Sequence, residues 1–143
     1  MKIRLSAVCL ALLACSACGP ESQGERANAA TCEAGKVHLI GEVEGRAIDE
    51  SHDVSGFYFV QVGEVALDMT FGETGHLRLE WETLVADGDE VDVSKGELVM
   101  PGSTDTLMAE EGSSLIPTGD AYQFRLYWPD GSSLDGCYAQ AEF

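Results

Sequence analysis

Across residues 76–85 apolar and polar side chains alternate. Leu77, Leu79, Trp81, Thr83 and Val85 fall on one side and His76, Arg78, Glu80 and Glu82 on the other, until Leu84 breaks the pattern. An extended backbone turns successive side chains to opposite faces, so period two at this length specifies a strand with one face on a core and one in water. Val65, Leu67, Met69 and Phe71 repeat the pattern, as do Tyr122, Phe124, Leu126 and Trp128. Near the chain's end Cys137, Ala139, Ala141 and Phe143 share a face, which this reading takes as the inward one, opposite Tyr138, Gln140 and Glu142. Shorter candidates are 37–44, 56–62, 90–93 and 97–100. The run Phe57-Tyr58-Phe59-Val60 has no alternation, which predicts cover on both faces.

Glycine and aspartate punctuate the gaps, at Gly72-Glu73-Thr74-Gly75, Asp87-Gly88-Asp89, Pro101-Gly102 and Pro129-Asp130-Gly131. Both residues tolerate the positive φ of tight turns, so these clusters read as hairpin connections. About seven or eight short strands at this spacing predict an all-β domain, an antiparallel β-sandwich or a small β-barrel. No stretch of the domain shows a helical period. The segment 103–114 is read either as a long loop or as holding a helical turn around Leu107-Met108.

The amino terminus has a different character. Lys2 and Arg4 precede an apolar run, 5–15, broken only by Ser6, and Ser16-Ala17-Cys18-Gly19 follows. A positive start, an apolar middle and small residues before a cleavage point make residues 1–17 a secretory signal peptide. The run is well short of the roughly 20 residues a membrane-spanning helix needs. The segment Leu12-Leu13-Ala14-Cys15-Ser16-Ala17-Cys18-Gly19 resembles the lipobox of bacterial lipoproteins, a resemblance confined to the amino terminus. It implies cleavage before a cysteine that is diacylated on sulfur. Cys18, with small neighbours and Gly19 after it, is the preferred site. Cys15, with Leu12 three residues before it, is the alternative. Since Gly19 rather than Asp follows Cys18, the resemblance further implies sorting to the outer membrane of a Gram-negative envelope, facing the periplasm or the surface.

Residues 18–30 are small and polar after the lipidated cysteine and read as a flexible tether. Residues 31–143 then form one domain. Its two cysteines, Cys32 and Cys137, bracket it almost end to end. In an exported chain an even pair reads as a disulfide, here a staple between the domain's two ends.

The sequence carries 25 acidic and 8 basic residues, for a formal charge of −17. Cleavage after Ala17 removes Lys2 and Arg4 and no acid, leaving 6 basic residues against 25 acidic and a net charge of −19. Such a field repels phosphate backbones and anionic lipid, so nucleic acid is disfavoured and membrane contact is expected through the acyl group alone. It would attract a basic envelope protein.

No catalytic or metal-binding constellation stands out. His38, His52 and His76 lie in separate segments without ligand spacing, with His38 and His76 on polar faces. Asp87-Gly88-Asp89 lacks the glycine and glutamate positions of a calcium loop and reads as a turn. Ser55, with His52 and Asp53 nearby, lacks the elbow of a hydrolase nucleophile. Trp81, Phe124 and Trp128 are assigned to the core. Tyr127 and Tyr138 fall on the opposite faces and are candidates for an exposed aromatic patch.

The expectation is therefore a non-enzymatic envelope lipoprotein without a cofactor, its β domain binding or structural. Two alternatives stand beside it. One is an inhibitor or docking module for a cationic protein, in general make-up similar to the small disulfide-bonded β lipoproteins that inhibit lysozymes, though no motif of that group is matched. The other is a barrel that carries an apolar ligand in its interior.

Overall fold

The structure, a computed structural model, describes residues 28–62, 64–82 and 87–141, the side chains of 60–62 and 64 excepted. The described chain is all-β and contains no helix. Ten antiparallel strands follow one another: β1 (Lys36–Val43), β2 (Arg46–Val62), β3 (Glu64–Phe71), β4 (Gly75–Trp81), β5 (Val91–Asp92), β6 (Lys95–Val99), β7 (Leu107–Met108), β8 (Ser114–Thr118), β9 (Ala121–Tyr127) and β10 (Ser133–Ala139). They form one curled sheet in the order β5-β8-β9-β10-β1-β2-β3-β4-β6-β7.

The hinge of the sheet is β2. Its first half pairs with β1, from Val43↔Arg46 to Lys36↔Asp53, and its second half pairs with β3, from Val54↔Phe71 to Val62↔Glu64. Between the halves the register slips by one residue at Ser55. An extra residue of this kind bends a strand and raises its twist, and so carries one strand around a corner between two layers. The β1–β2 connection is the two-residue turn Glu44-Gly45, with φ of 52° and 77°. Both values are positive, which suits the right-handed twist of a tight hairpin, although Glu at the first place is less at ease there than Asn or Asp.

The two ends of the strand order meet in one hairpin. β6 pairs with β7 through Leu98↔Leu107 and Glu97↔Met108, and β5 pairs with β8 through Asp92↔Ser114 and Val91↔Leu115. Between these pairs Ala109 N–H donates to Gly96 O (2.8 Å) and Val93 N–H to Ser113 O (2.9 Å). Residues 91–99 thus run against 107–115 with a one-residue slip. This explains why ten strands are seen where about seven or eight were expected. The ladder is interrupted at 93–94 and at 109–113, which leaves the two-residue pieces β5 and β7. The segment 103–114 holds β7 and turns, and no helical turn around Leu107-Met108.

Inside the curl the alternating faces meet. Leu67, Met69 and Phe71 of β3, Leu77, Leu79 and Trp81 of β4, and Phe124 and Leu126 of β9 with Trp128 beyond it are buried together with Val37 and Leu39 of β1. These are the faces that period two assigned to the core. Two faces differ from expectation. Tyr138 is 5% exposed and belongs to the core, opposite Val37 and Tyr122, so it is no part of an exposed patch. Cys137 is also fully buried, but on the other face of β10, beside His38. The run at Phe57 is not covered on both sides: Tyr58 is 68% and Phe59 40% exposed.

Gly136 faces the core directly under the Phe124 ring. A Cβ there would overlap Cζ and Cε2 of that ring and stand 2.8 Å from Cε1. A glycine in a strand that gives its space to a cross-strand aromatic is a recognised way of seating a large ring in a small sheet.

Candidate functional site

On the outer face of β10 and β1 lies the segment 28–32. Asn28 Nδ2 donates to Phe124 O (3.0 Å), Ala29 N–H to Asp135 Oδ2 (2.8 Å) and Thr31 N–H to Nδ1 of His38 (2.8 Å). Since Nδ1 accepts, the neutral ring carries its proton on Nε2, which faces Asp49 Oδ1 at 2.7 Å. The structure joins Cys32 to Cys137, 105 residues apart, with Cα atoms 5.0 Å from each other. The bridge pins the strap to the sheet and hides Cys137 beneath it. Under the strap Arg125 grips Asp135 with Nε–Oδ1 at 2.6 Å and Nη2–Oδ2 at 3.1 Å. The hydrogen bond to that carboxylate raises the guanidinium's pKa against the opposing effect of burial. Cys15 and Cys18, the candidate lipidation sites, lie outside the described residues.

The outer face of β3 and β4 carries a second ionic group. Asp68 receives Arg78 Nη1 (3.0 Å) and faces His76 Nε2 (2.8 Å), while Arg78 Nε donates to Glu80 Oε2 (2.7 Å). The bonds to Glu80 and then Asp68 raise the Arg78 pKa. Each histidine thus faces one carboxylate, His52 with Glu50 at 2.9 Å completing the set. Among the described residues no three His, Cys, Asp or Glu side chains come together as a metal site. The hydrolase constellation is not assembled either. Ser55 Oγ lies 3.1 Å from Thr70 Oγ1 and 3.3 Å from Thr70 O, and His52 turns to Glu50 instead.

Concave surface occurs at the two ends of the curl. At one end a cleft of about 300 Å3 opens between the β1–β2 turn, the start of β7 and the β9–β10 turn. Val43, Leu107, Met108, Trp128 and Pro129 line it, with Glu44 and Asp130 also on its wall. The hydroxyl and the backbone N–H of Ser132 both donate to Asp130 and hold its carboxyl below the usual range. Trp128 is buried, and among the described residues its Nε1–H, like that of Trp81, meets no acceptor. A buried donor left unpaired is costly, and this one is closed to solvent as well. Sequence patterning missed this site because its walls come from three separate turns, and only the aromatic at position 128 signals it.

At the other end Phe57, Phe59, Trp81, Tyr122 and Tyr138 form an aromatic mouth. Phe57 stands 5.0 Å from Tyr138 and 5.5 Å from Tyr122, and Phe59 stands 6.0 Å from Trp81, between ring centres. Burial raises the pKa of both phenols, and Asp87 adds to the effect on Tyr122. A second cleft, about 370 Å3, lies between Gly35, the bend Val54–Phe57 and Tyr138, Gln140 and Ala141.

Comparison with protein-family models, curated proteins and solved structures finds no match to this chain.

Proposed function

We propose that the chain is an exported bacterial envelope lipoprotein, anchored through an acylated Cys18 (or Cys15), whose acidic β domain binds a partner and performs no chemistry of its own. The observation that carries the reading is the Cys32–Cys137 bridge across 105 residues. Disulfides persist in oxidising compartments, which is where the signal at residues 1–17 would deliver the chain. The fold that accompanies this reading is a flattened eight-stranded barrel. Support comes from the hairpin of 91–99 against 107–115, which brings the two edges of the curled sheet together.

The distribution of charge supports docking of a cationic partner. Arg78, Arg125, Lys36 and Lys95 each face carboxylates of this domain. Glu33, Glu73, Asp89, Glu111 and Asp120 are among the acids left exposed to solvent. A field of one sign speeds the arrival of an oppositely charged partner. Carriage of an apolar ligand in the interior is less well supported, because Trp81, Phe71 and Phe124 fill that space. The Trp128 cleft, walled by Val43, Leu107, Met108 and Pro129, favours a narrower version, a small apolar group. Quenching of tryptophan fluorescence by short-chain alcohols that is lost in Trp128→Phe would support it, and equal quenching in both proteins would remove it.

Intact mass of the mature protein extracted from membranes tests the main reading. The expected mass begins at Cys18, includes diacylglycerol and falls two hydrogens short of the reduced chain. An unmodified amino terminus beyond Cys18 would overturn the anchor.

A further inference from the structure

We propose that the free edge of β2 over residues 55–62 is a self-association edge, which pairs antiparallel with the same edge of a second copy of this chain. β2 is 17 residues long and outruns its neighbour. Pairing with β1 ends at Lys36↔Asp53, with one further bond from Val54 N–H to Gly35 O. From there to Val62, β2 is paired with β3 on one side only. Among the described residues no strand meets its other side. A row of unpaired backbone donors and acceptors is a ready template for another strand.

The side chains on this row point to the same use. Val54-Ser55-Gly56-Phe57-Tyr58-Phe59-Val60-Gln61-Val62 contains no charge and no proline, in a chain of formal charge −17. It is rich in aromatic and β-branched residues, and Tyr58 and Phe59 are exposed. Proteins ordinarily protect such an edge with charge. The other half of β2 is charged along its length, with Arg46, Asp49, Glu50 and Asp53. Asp53 is the last charge before the uncharged row, so protection stops where the row begins.

A second copy is the occupant that this chemistry fits. A cationic partner is drawn to the acidic surfaces and gains nothing from a neutral edge. Antiparallel pairing of a strand with its own copy is two-fold symmetric, sets neutral row against neutral row, and uses up both edges, so assembly closes at a dimer. A single row of strand pairing is a small interface, so the dimer is a weak one that forms reversibly with concentration. The rest of the two surfaces is acidic and repels, so the dimer tightens as salt screens that repulsion. Capture of a cationic partner has the opposite salt dependence, which keeps the two ideas separable.

Sedimentation velocity of the full chain in a non-ionic detergent, over a range of protein concentration and at low and high salt, tests the proposal. The expected result is a monomer–dimer equilibrium that shifts toward dimer with salt. Tyr58→Lys should weaken it at least tenfold at high salt, and Tyr58→Thr should leave it nearly unchanged. Tyr58 lies opposite Asp68 in the β2–β3 register, so the fold can accommodate the lysine. Hydrogen exchange of the wild-type protein needs no variant: amides of 55–62 should gain protection as concentration rises, and other edges should not. A monomer at all concentrations and salts would overturn the proposal. So would a dimer whose new protection lies elsewhere, or protection of 55–62 that appears only with a foreign peptide.

Discussion

Gly136 and Phe124 offer the sharpest test of how the core is packed. Gly136 is absent from the positive-φ glycines, so alanine fits its backbone and the whole effect of Gly136→Ala comes from space. The added methyl would overlap the Phe124 ring, and that ring is 1% exposed and cannot retreat into solvent. Overpacking of this kind costs about 1–3 kcal/mol, and the severity of the overlap argues for the upper end. Replacing a strand glycine returns about 0.5–1 kcal/mol of backbone entropy, leaving a net loss of about 2 kcal/mol. Phe124→Ala empties the ring's site and should cost about 3–5 kcal/mol. Independent effects would sum to about 5–7 kcal/mol in the double variant. With the ring gone, however, the methyl added at position 136 occupies part of the vacated space. The double variant should then cost no more than Phe124→Ala alone, a coupling of about 2 kcal/mol. Urea unfolding followed by tryptophan fluorescence, with the disulfide intact, measures all four corners of the cycle. A neutral Gly136→Ala, or additivity within about 0.5 kcal/mol, would refute the packing.

Three other outcomes follow from the structure. Reduction of the Cys32–Cys137 bridge, or the double change Cys32→Ala/Cys137→Ala, should remove up to about 4–5 kcal/mol, the value expected for a closed loop of this length; a shift under about 1 kcal/mol in denaturant unfolding would deny it a stapling role. Burial raises the phenol pKa of Tyr122 and Tyr138. Their protonated forms support the fold fully below the unfolded phenol value of about 10, and that support is lost as pH rises through the folded values. Absorbance titration should show a late component that Tyr122→Phe/Tyr138→Phe abolishes, and its persistence would contradict the assignment. Arg125→Met takes the guanidinium from the buried Asp135 carboxylate and should cost about 3–5 kcal/mol, whereas Arg125→Met/Asp135→Leu should recover part of it, the rest being lost with the acceptor of Ala29 N–H; equal losses in the two variants, by thermal or chemical unfolding, would show that the pair is not the cause.

The sequence was most legible where a strand buries one face against apolar neighbours and nothing else touches the other. β3 comes closest to this kind, and Leu67 and Met69 stand where alternation put them. In β4 and β9 the apolar beat at Leu79 and Phe124 survives although Glu80 and Arg125 on the other face are buried too. The first half of β2 was illegible because its inward positions include Glu50 and His52, which satisfy each other at 2.9 Å and give no apolar beat. β8 was hidden by Pro117, a residue that argues against a strand until its edge position is known. The candidate clefts were hidden for a different reason. Each is walled by residues from three or more segments, and their proximity is a property of the curled sheet alone.

β10 shows where period-two reasoning fails in principle. It assumes that one face of a strand is buried and the other wet, so a buried residue fixes the inward face. In β10 the cysteine at position 137 invited that inference, and the inference inverted the strand. The interior face is the one bearing Leu134, Gly136 and Tyr138, with Gly136 vacating the volume that Phe124 fills. Asp135 and Cys137 are buried as well, because residues 28–32, more than 100 positions away in sequence, lie across them. The covering segment is itself fixed by the two groups it covers, through Ala29 to Asp135 and Cys32 to Cys137. The polar residue in that face is thus no anomaly to be explained by solvent. Asp135 has Arg125 and a backbone N–H for partners, and a buried carboxylate needs such partners to be tolerated. A strand carrying Asp and Cys on one face and Gly and Tyr on the other is therefore better read as doubly covered. The cysteine then marks the place where a distant segment of chain arrives.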